Sequence, residues 1–281
     1  MVWGVSSNRE RPPLPAPLAP LFDAHTHLDA CGASDADDVH AILDRAAAVG
    51  VTAVVTIADD MEAARWVTRA ADWDPRVYAA VALHPTRANA LDDAARAELE
   101  RLSAHPRVVA IGETGMDMYW PGKLDGCADV AQQREAFAWH IGLAKRTGKP
   151  LMIHNREADA EVLDVLRAEG APETVIFHCF SSGPEMARTC VDAGWLLSLS
   201  GTVSFRNARE LREAARLIPP EQLLVETDAP FLTPHPFRGA TNESYCLPYT
   251  VRALAEVVDR PAEQLANETS RNATFAYGIR C

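Results

Sequence analysis

Eight short apolar runs, most of them followed by a stretch of helical period, succeed one another along this chain and limit its fold more than any other feature. The runs occupy 21–25, 51–57, 77–83, 108–112, 151–154, 174–178, 195–200 and 223–226. Most are apolar at consecutive positions, as parallel strands covered on both faces should be. Amphipathic stretches fill 37–49, 60–72, 92–104, 130–147, 159–169, 183–192 and 208–217; a helix over 244–258 and a short one from 261 follow the last run. Gly50, Gly148 and Gly194 stand where helices should stop, because glycine takes the left-handed backbone of a helix end at little cost. Eight strands alternating with helices in 281 residues predict an α/β protein, a single-domain (β/α)8 TIM barrel over 21–281. An open doubly wound sheet is the competing arrangement, but no Gly-x-Gly-x-x-Gly turn opens a helix and no Gly-Lys-Ser/Thr phosphate loop occurs.

In a parallel barrel every strand ends at the same mouth. The first run ends Asp23-Ala24-His25-Thr26-His27, and alternate strand residues face the same way, so the two imidazoles project together. The third run ends at His84, the fourth at Glu113 with Asp117 beyond it, the fifth at His154-Asn155-Arg156, the sixth at His178 and the eighth at Glu226-Thr227-Asp228. Five of the nine histidines thus fall at one end of one barrel, a concentration that packing does not explain.

His25, His27, Glu113, His154, His178 and Asp228 make four imidazoles and two carboxylates, too many ligands for one tetrahedral ion with an open position. Two divalent ions bridged by a carboxylate are the economical arrangement. Glu113 is the expected bridge, His25, His27 and Asp228 hold one ion, and His154 and His178 hold the other. Mixed nitrogen and oxygen ligands suit Mg, Mn or Zn without choosing among them. Such a pair activates a shared water for hydrolysis, with Asp228 orienting it or taking its proton. No Gly-x-Ser-x-Gly elbow offers a competing nucleophile. His84 is read as a substrate contact, Asp117 and Glu226 as supports for ligand histidines, and Arg156 and Arg238 as phosphate clamps. Tyr119 and Trp120 could stack a terminal base. His40, His105 and His140 receive no role.

A net charge of −12 argues against a broad basic surface, though a metal cluster can hold phosphate where the overall surface is acidic. The six cysteines form no Cys-x-x-Cys pair and no secretory signal precedes them, which reads as reduced thiols in a cytoplasmic protein. Cys179, adjacent to His178, should face the other way and pack. Residues 1–20, with prolines at 12, 13, 15, 17 and 20, read as a flexible Pro-rich leader. No run is long enough to span a membrane, and nothing in the sequence demands an obligate protein partner.

The motifs Phe-Asp-Ala-His-Thr-His-Leu-Asp at 22–29, Leu-His-Pro at 83–85, Ile-Gly-Glu-Thr-Gly-Met-Asp at 111–117, Ile-His-Asn-Arg-Glu-Ala at 153–158, Phe-His-Cys-Phe-Ser at 177–181, Leu-Ser-Leu-Ser-Gly at 197–201 and Glu-Thr-Asp-Ala-Pro-Phe-Leu-Thr-Pro at 226–234 stand in one order. With them the chain, from 22 to 275, resembles the TatD family of metal-dependent deoxyribonucleases, within the amidohydrolase-like metal hydrolases. The resemblance implies a TIM barrel, two divalent ions held by the six ligands named above, and 3′-to-5′ exonuclease hydrolysis of phosphodiesters, with a single-stranded DNA 3′ end as substrate. Some positions depart from the family pattern: Met118 before the Tyr119-Trp120 pair, Asn155 after His154, Ser182 before Gly183, and Ala240-Thr241 where the family carries two cations. Two fewer cations beside the mouth imply a shallower salt dependence. The alternative on the same centre is hydrolysis of a small ester, lactone or amide.

Overall fold

The computed structural model describes residues 11–18 and 20–279. Its strands are β1 (Leu21–Thr26), β2 (Val51–Ile57), β3 (Val77–Val81), β4 (Val108–Asp117), β5 (Leu151–Arg156), β6 (Val175–Phe177), β7 (Leu196–Leu199) and β8 (Leu223–Val225). They pair in parallel in chain order. The ring closes where Thr26 bridges Ala229, His27 N donates to Ala229 O at 2.8 Å and Asp228 N donates to His25 O at 2.9 Å. Behind that seam the buried Asp23 carboxylate accepts from Thr227 N at 2.8 Å and Thr227 Oγ1 at 2.6 Å. The expected barrel is the observed one, and its seam is drawn shut beside the strand ends that carry His25, His27 and Asp228.

The helices are α1 (Ala36–Ala47), α2 (Met61–Trp73), α3 (Asp93–Ser103), α4 (Val130–Thr147), α5 (Asp159–Glu169), α6 (Pro184–Asp192), α7 (Arg209–Ala215), α8 (Leu247–Val258) and α9 (Ala262–Ala276). Asp35, Asp60, Asp92 and Asp129 cap α1 to α4 by accepting the backbone N–H three residues on, which satisfies donors a helix start leaves unpaired. Gly148 caps α4 in the left-handed conformation, as expected, but α1 is capped by Ala48 and α6 by Ala193, with Gly50 and Gly194 lying just beyond. The last helix is not short. At 15 residues α9 closes the barrel floor, with Tyr277 stacked on Phe22 at 5.8 Å and its hydroxyl donating to Ala24 O.

Strand alternation divides the apolar residues between two cores. Leu21, Val54, Val81, Ile111 and Ile153 pack with Val39, Leu99 and Phe137 from the helices. Phe22, Ala24, Val55, Ala80, Ala110, Met152, Ile176 and Leu224 form a smaller cluster that holds no residue of α1 to α8, and this is the barrel interior. Apolar residues fill the tube below, and the polar side chains stand at the strand ends above it.

β4 runs five residues past the end of its apolar segment. Gly112 and Gly115 make that possible, because they lie directly on β5. A Cβ on Gly112 would sit 2.4 Å from Met152 Cβ, and one on Gly115 would sit 2.1 Å from His154 O. The pairing register slips between Ile111 and Thr114 and resumes with Gly115 opposite His154 and Asp117 opposite Arg156.

Of the Pro-rich segment, residues 1–10 lie outside the described residues. Residues 11–18 form neither helix nor strand, as prolines require. They are nonetheless anchored: Pro12 and Pro13 carbonyls accept from Tyr245 and Tyr249 hydroxyls, Ala16 and Pro17 carbonyls accept from Arg252, and Arg11 pairs with the buried Glu243 at 2.7 Å. Tyrosine and arginine donors thus satisfy carbonyls that proline leaves without a sheet. No described helix is long and apolar enough to cross a membrane. Cys31, Cys127, Cys179, Cys190 and Cys246 are free thiols.

Candidate metal centre

Glu113 lies at the middle of the mouth, and its two carboxylate oxygens face different histidines. Oε1 stands 3.1 Å from His154 Nδ1 and 3.2 Å from His84 Nε2. Oε2 stands 2.9 Å from His25 Nε2, 3.5 Å from His178 Nε2 and 3.9 Å from His27 Nε2. Asp228 Oδ1 lies 3.5 Å from both His25 Nε2 and His27 Nε2. Asp228 holds a left-handed backbone at φ 52°, a conformation that aspartate tolerates better than most residues. The six residues read from the sequence as ligands are therefore brought together.

Three sets have ligand atoms within 4.8 Å of one another: His25 with His27 and Glu113, His25 with His178 and Asp228, and His84 with Glu113 and His154. His178 lies between the two sides, its ring stacked 3.9 Å from that of His25 and its Nε2 3.4 Å from His154 Nδ1. His84, read as a substrate contact, lies within ligand distance of Glu113 and His154.

The supporting carboxylates divide their contacts. Asp117 Oδ2 approaches His154 Nε2 at 3.2 Å, while its Oδ1 accepts from Tyr119 N and Trp120 N. Glu226 Oε1 accepts from Cys179 N at 2.8 Å and lies 3.4 Å from His178 Nδ1. Cys179 is outside the three sets, with its Sγ 3.3 Å from Ser200 Oγ. Arg156 and Arg238 are not among the residues of the three sets. Arg156 lies 4.0 Å from the Tyr119 ring centre, on which Lys123 also sits at 3.7 Å, and Arg238 lies 4.6 Å from that of Phe205. Cations on the Tyr119 ring occupy the surface that a base was expected to stack on.

Burial and charge compete within the site. Burial and the neighbouring His178 push His25 down to about 3, so it is a neutral ligand at ordinary pH. For His154 burial opposes the charged form, yet Asp117 and Glu113 outweigh it and raise the group to about 9. Burial also works against charge on His27, but Asp59, Asp228 and Glu113 together lift it well above the usual histidine range. For Glu113 desolvation is the largest effect, but His178, His154, His25 and His84 together hold it well below the usual carboxylate range. An anionic carboxylate among imidazoles is the electrostatic pattern of a cation site.

Two nearby residues escape sequence reading. Asp59, just past β2, has Oδ1 3.6 Å from His27 Nδ1. The signal was present, an acid at the end of the second apolar run. His140, assigned no role, is buried in α4, where Nδ1 donates to Ala136 O and Nε2 accepts from Leu83 N, bracing the backbone beside His84. A histidine on a helix gives no sequence sign of that task.

A closed parallel barrel whose strand ends gather five imidazoles and two carboxylates defines a TIM-barrel metal-dependent hydrolase. The chain belongs to the TatD-related DNase family, which it matches over residues 22–278. It is 78% identical over 259 residues to an uncharacterised metal-dependent hydrolase of Mycobacterium tuberculosis named TatD, covering 92% of this chain and 98% of the relative. A Musicola paradisiaca protein named 3′-5′ ssDNA/RNA exonuclease TatD is 32% identical, covering 86% of this chain and 92% of its own. Among solved structures, the Escherichia coli TatD homologue YjjV superposes with a TM-score of 0.84 at 27% identity, over 92% of this chain and 98% of that one.

Proposed function

We propose that this protein is a TatD-type deoxyribonuclease, a 3′-to-5′ exonuclease that hydrolyses phosphodiesters at the 3′ end of single-stranded DNA with two divalent ions. The observation that supports it most directly is the division of Glu113. One oxygen serves the His84–His154 side and the other the His25–His27–His178 side, as a carboxylate shared by two cations must. The donor set fits: Glu113 Oε2 is a buried anionic oxygen without a hydrogen-bond donor, and neutral His25 offers a lone pair beside it. His25, His27 and Asp228 would hold one ion and His154 and His178 the other, with Glu113 between them; His178 reaches both sides, with Nε2 3.4 Å from His154 Nδ1 and 3.5 Å from Glu113 Oε2. His84 is placed to complete the second set.

Bound divalent ions supply Lewis acidity and make water a nucleophile near neutral pH. The protein's own groups do the rest. Of the two carboxylates in the ligand set Asp228 is the more exposed, with a side chain 13% accessible against 5% for Glu113, and in this reading it orients the attacking water and takes its proton. Asp117 and Glu226 fix the rings of His154 and His178. Arg156, at the end of β5, and Arg238, in the loop after β8, receive phosphate oxygens. The family match and the name of the Musicola relative support nucleic acid as substrate.

The test is release of mononucleotides from a 5′-labelled single strand with Mg or Mn, run beside a panel of aryl esters and lactones. Metal-dependent shortening from the 3′ end is expected, and His154→Ala should lower it by roughly 100-fold or more. Turnover of the esters with intact strands would overturn the nuclease reading in favour of small-molecule hydrolysis.

A further inference from the structure

Beyond Asp228 the loops that follow β7 and β8 are fused into one ridge. Gly201 lies so close to the later loop that a Cβ on it would come within 2.2 Å of Leu232 O. Ser204 Oγ accepts from His235 N at 2.8 Å, and Arg238 covers the ring of Phe205. Beside the ridge a cleft of about 340 Å³ opens between Ser204, His235, Arg212, Tyr249, Arg252 and Glu256, two guanidiniums against one carboxylate. That volume is at the small end of ligand sites, roughly 300–1,000 Å³, and is on the scale of one nucleotide.

Charge around the rim is uneven. The β1–α1 and β2–α2 loops carry Asp29, Asp35, Asp59 and Asp60 and no lysine or arginine. Residues 201–216 carry Arg206, Arg209, Arg212 and Arg216 against Glu210 and Glu213, in a chain whose net charge is −12. Two of the cleft's guanidiniums are already fixed: Arg212 donates to Val203 and Phe205 carbonyls, and Arg252 to those of Ala16 and Pro17. Their positive charge is held at the cleft wall without the entropy cost of ordering a free side chain. Arg206 and His235 are exposed on the approach.

Building on the nuclease reading above, we propose that the body of a single-stranded polynucleotide leaves the metal centre over this ridge, past Arg238 and Arg206, and seats an upstream nucleotide in the cleft. The terminal phosphodiester then occupies the mouth, and the rest of the strand runs away from the acidic loops after β1 and β2. The geometry makes the enzyme prefer a strand over a dinucleotide, because only the strand reaches the second seat.

The experiment compares kcat/KM for a DNA dinucleotide and an octanucleotide, with wild type and the double variant R206E/H235E. Wild type should favour the octanucleotide by roughly tenfold or more, with a salt dependence steeper by about 1.4 in log–log slope, two further phosphates at ~0.7 each. The variant should reduce the preference to about twofold and lose most of the added slope. Equal kcat/KM for the two substrates in wild type, or a variant that keeps the full preference, would overturn the path while leaving the nuclease reading standing. Failure to cleave either substrate would overturn both.

Discussion

Asp117 shows how one side chain joins the site to the loop that frames it. Its Oδ1 pins the backbone of Tyr119 and Trp120, and its Oδ2 meets His154 Nε2. The second contact fixes which nitrogen of His154 is presented to Glu113. In Asp117→Asn the amide oxygen can still accept from the loop, but the negative charge beside His154 is gone. Metal affinity and kcat/KM should each fall by roughly 10- to 100-fold with little change in melting temperature, measured by calorimetric metal titration and turnover. An unchanged metal affinity would reduce Asp117 to a loop staple. That the proposed ligand residues would meet at one mouth was readable, because packing alone gives a buried apolar run no reason to close on a histidine or an acid. The close packing of their rings was not readable. It depends on a register slip in β4 and on the stacking of His25 with His178, and both arise from contacts far apart in sequence.

Element by element, legibility followed the apolar pattern. α4 and α5 were read with the bounds they have, since their periodicity ends at glycines. The extension of β4 was hidden, because Gly112 and Gly115 suggest a turn when in fact they allow two backbones to meet. The task of His140 in α4 was hidden for a different reason: a polar residue in a helix reads as solvated, whereas this one is fully buried and satisfied by backbone. Burial lowers His140 to about 4 from 6.5. The unfolded chain therefore binds the extra proton throughout that window, and stability rises with pH across it. The contribution is complete above about 6.5 and is lost as pH falls towards about 4. The full effect is of order ~3 kcal/mol. Urea unfolding of wild type and His140→Gln at several pH values isolates it, because the other titrating groups are common to both proteins. The wild type should lose more stability on acidification, so the gap between the two proteins should narrow. A gap that stays constant with pH would mean that His140 is not held neutral by the fold.

At the scale of the whole molecule, the mouth is where the barrel is closed twice. Backbone hydrogen bonds join β1 to the segment after β8, and the proposed ligands come from the ends of β1, β4, β5, β6 and the β8 loop. Cations bound there would link five of the eight strand ends, among them the two that meet at the seam. The unfolded chain has no such site, so binding free energy adds directly to folding free energy. At a free metal concentration one hundred times the dissociation constant that is ~2.7 kcal/mol per ion. For a domain of this size it corresponds to a melting temperature higher by roughly 5–10 °C for one ion and more for two. Thermal unfolding after chelation, and again after Mn or Mg is restored, should show this rise and its dependence on metal concentration. The Asp117→Asn protein should need more metal to reach the same plateau, because its weaker site shifts the concentration scale but not the final fold. Two separable increments as metal is titrated would match two inequivalent sites sharing Glu113. A melting temperature that ignores metal, in protein that still cleaves only with metal added, would place the catalytic ions somewhere other than across this seam.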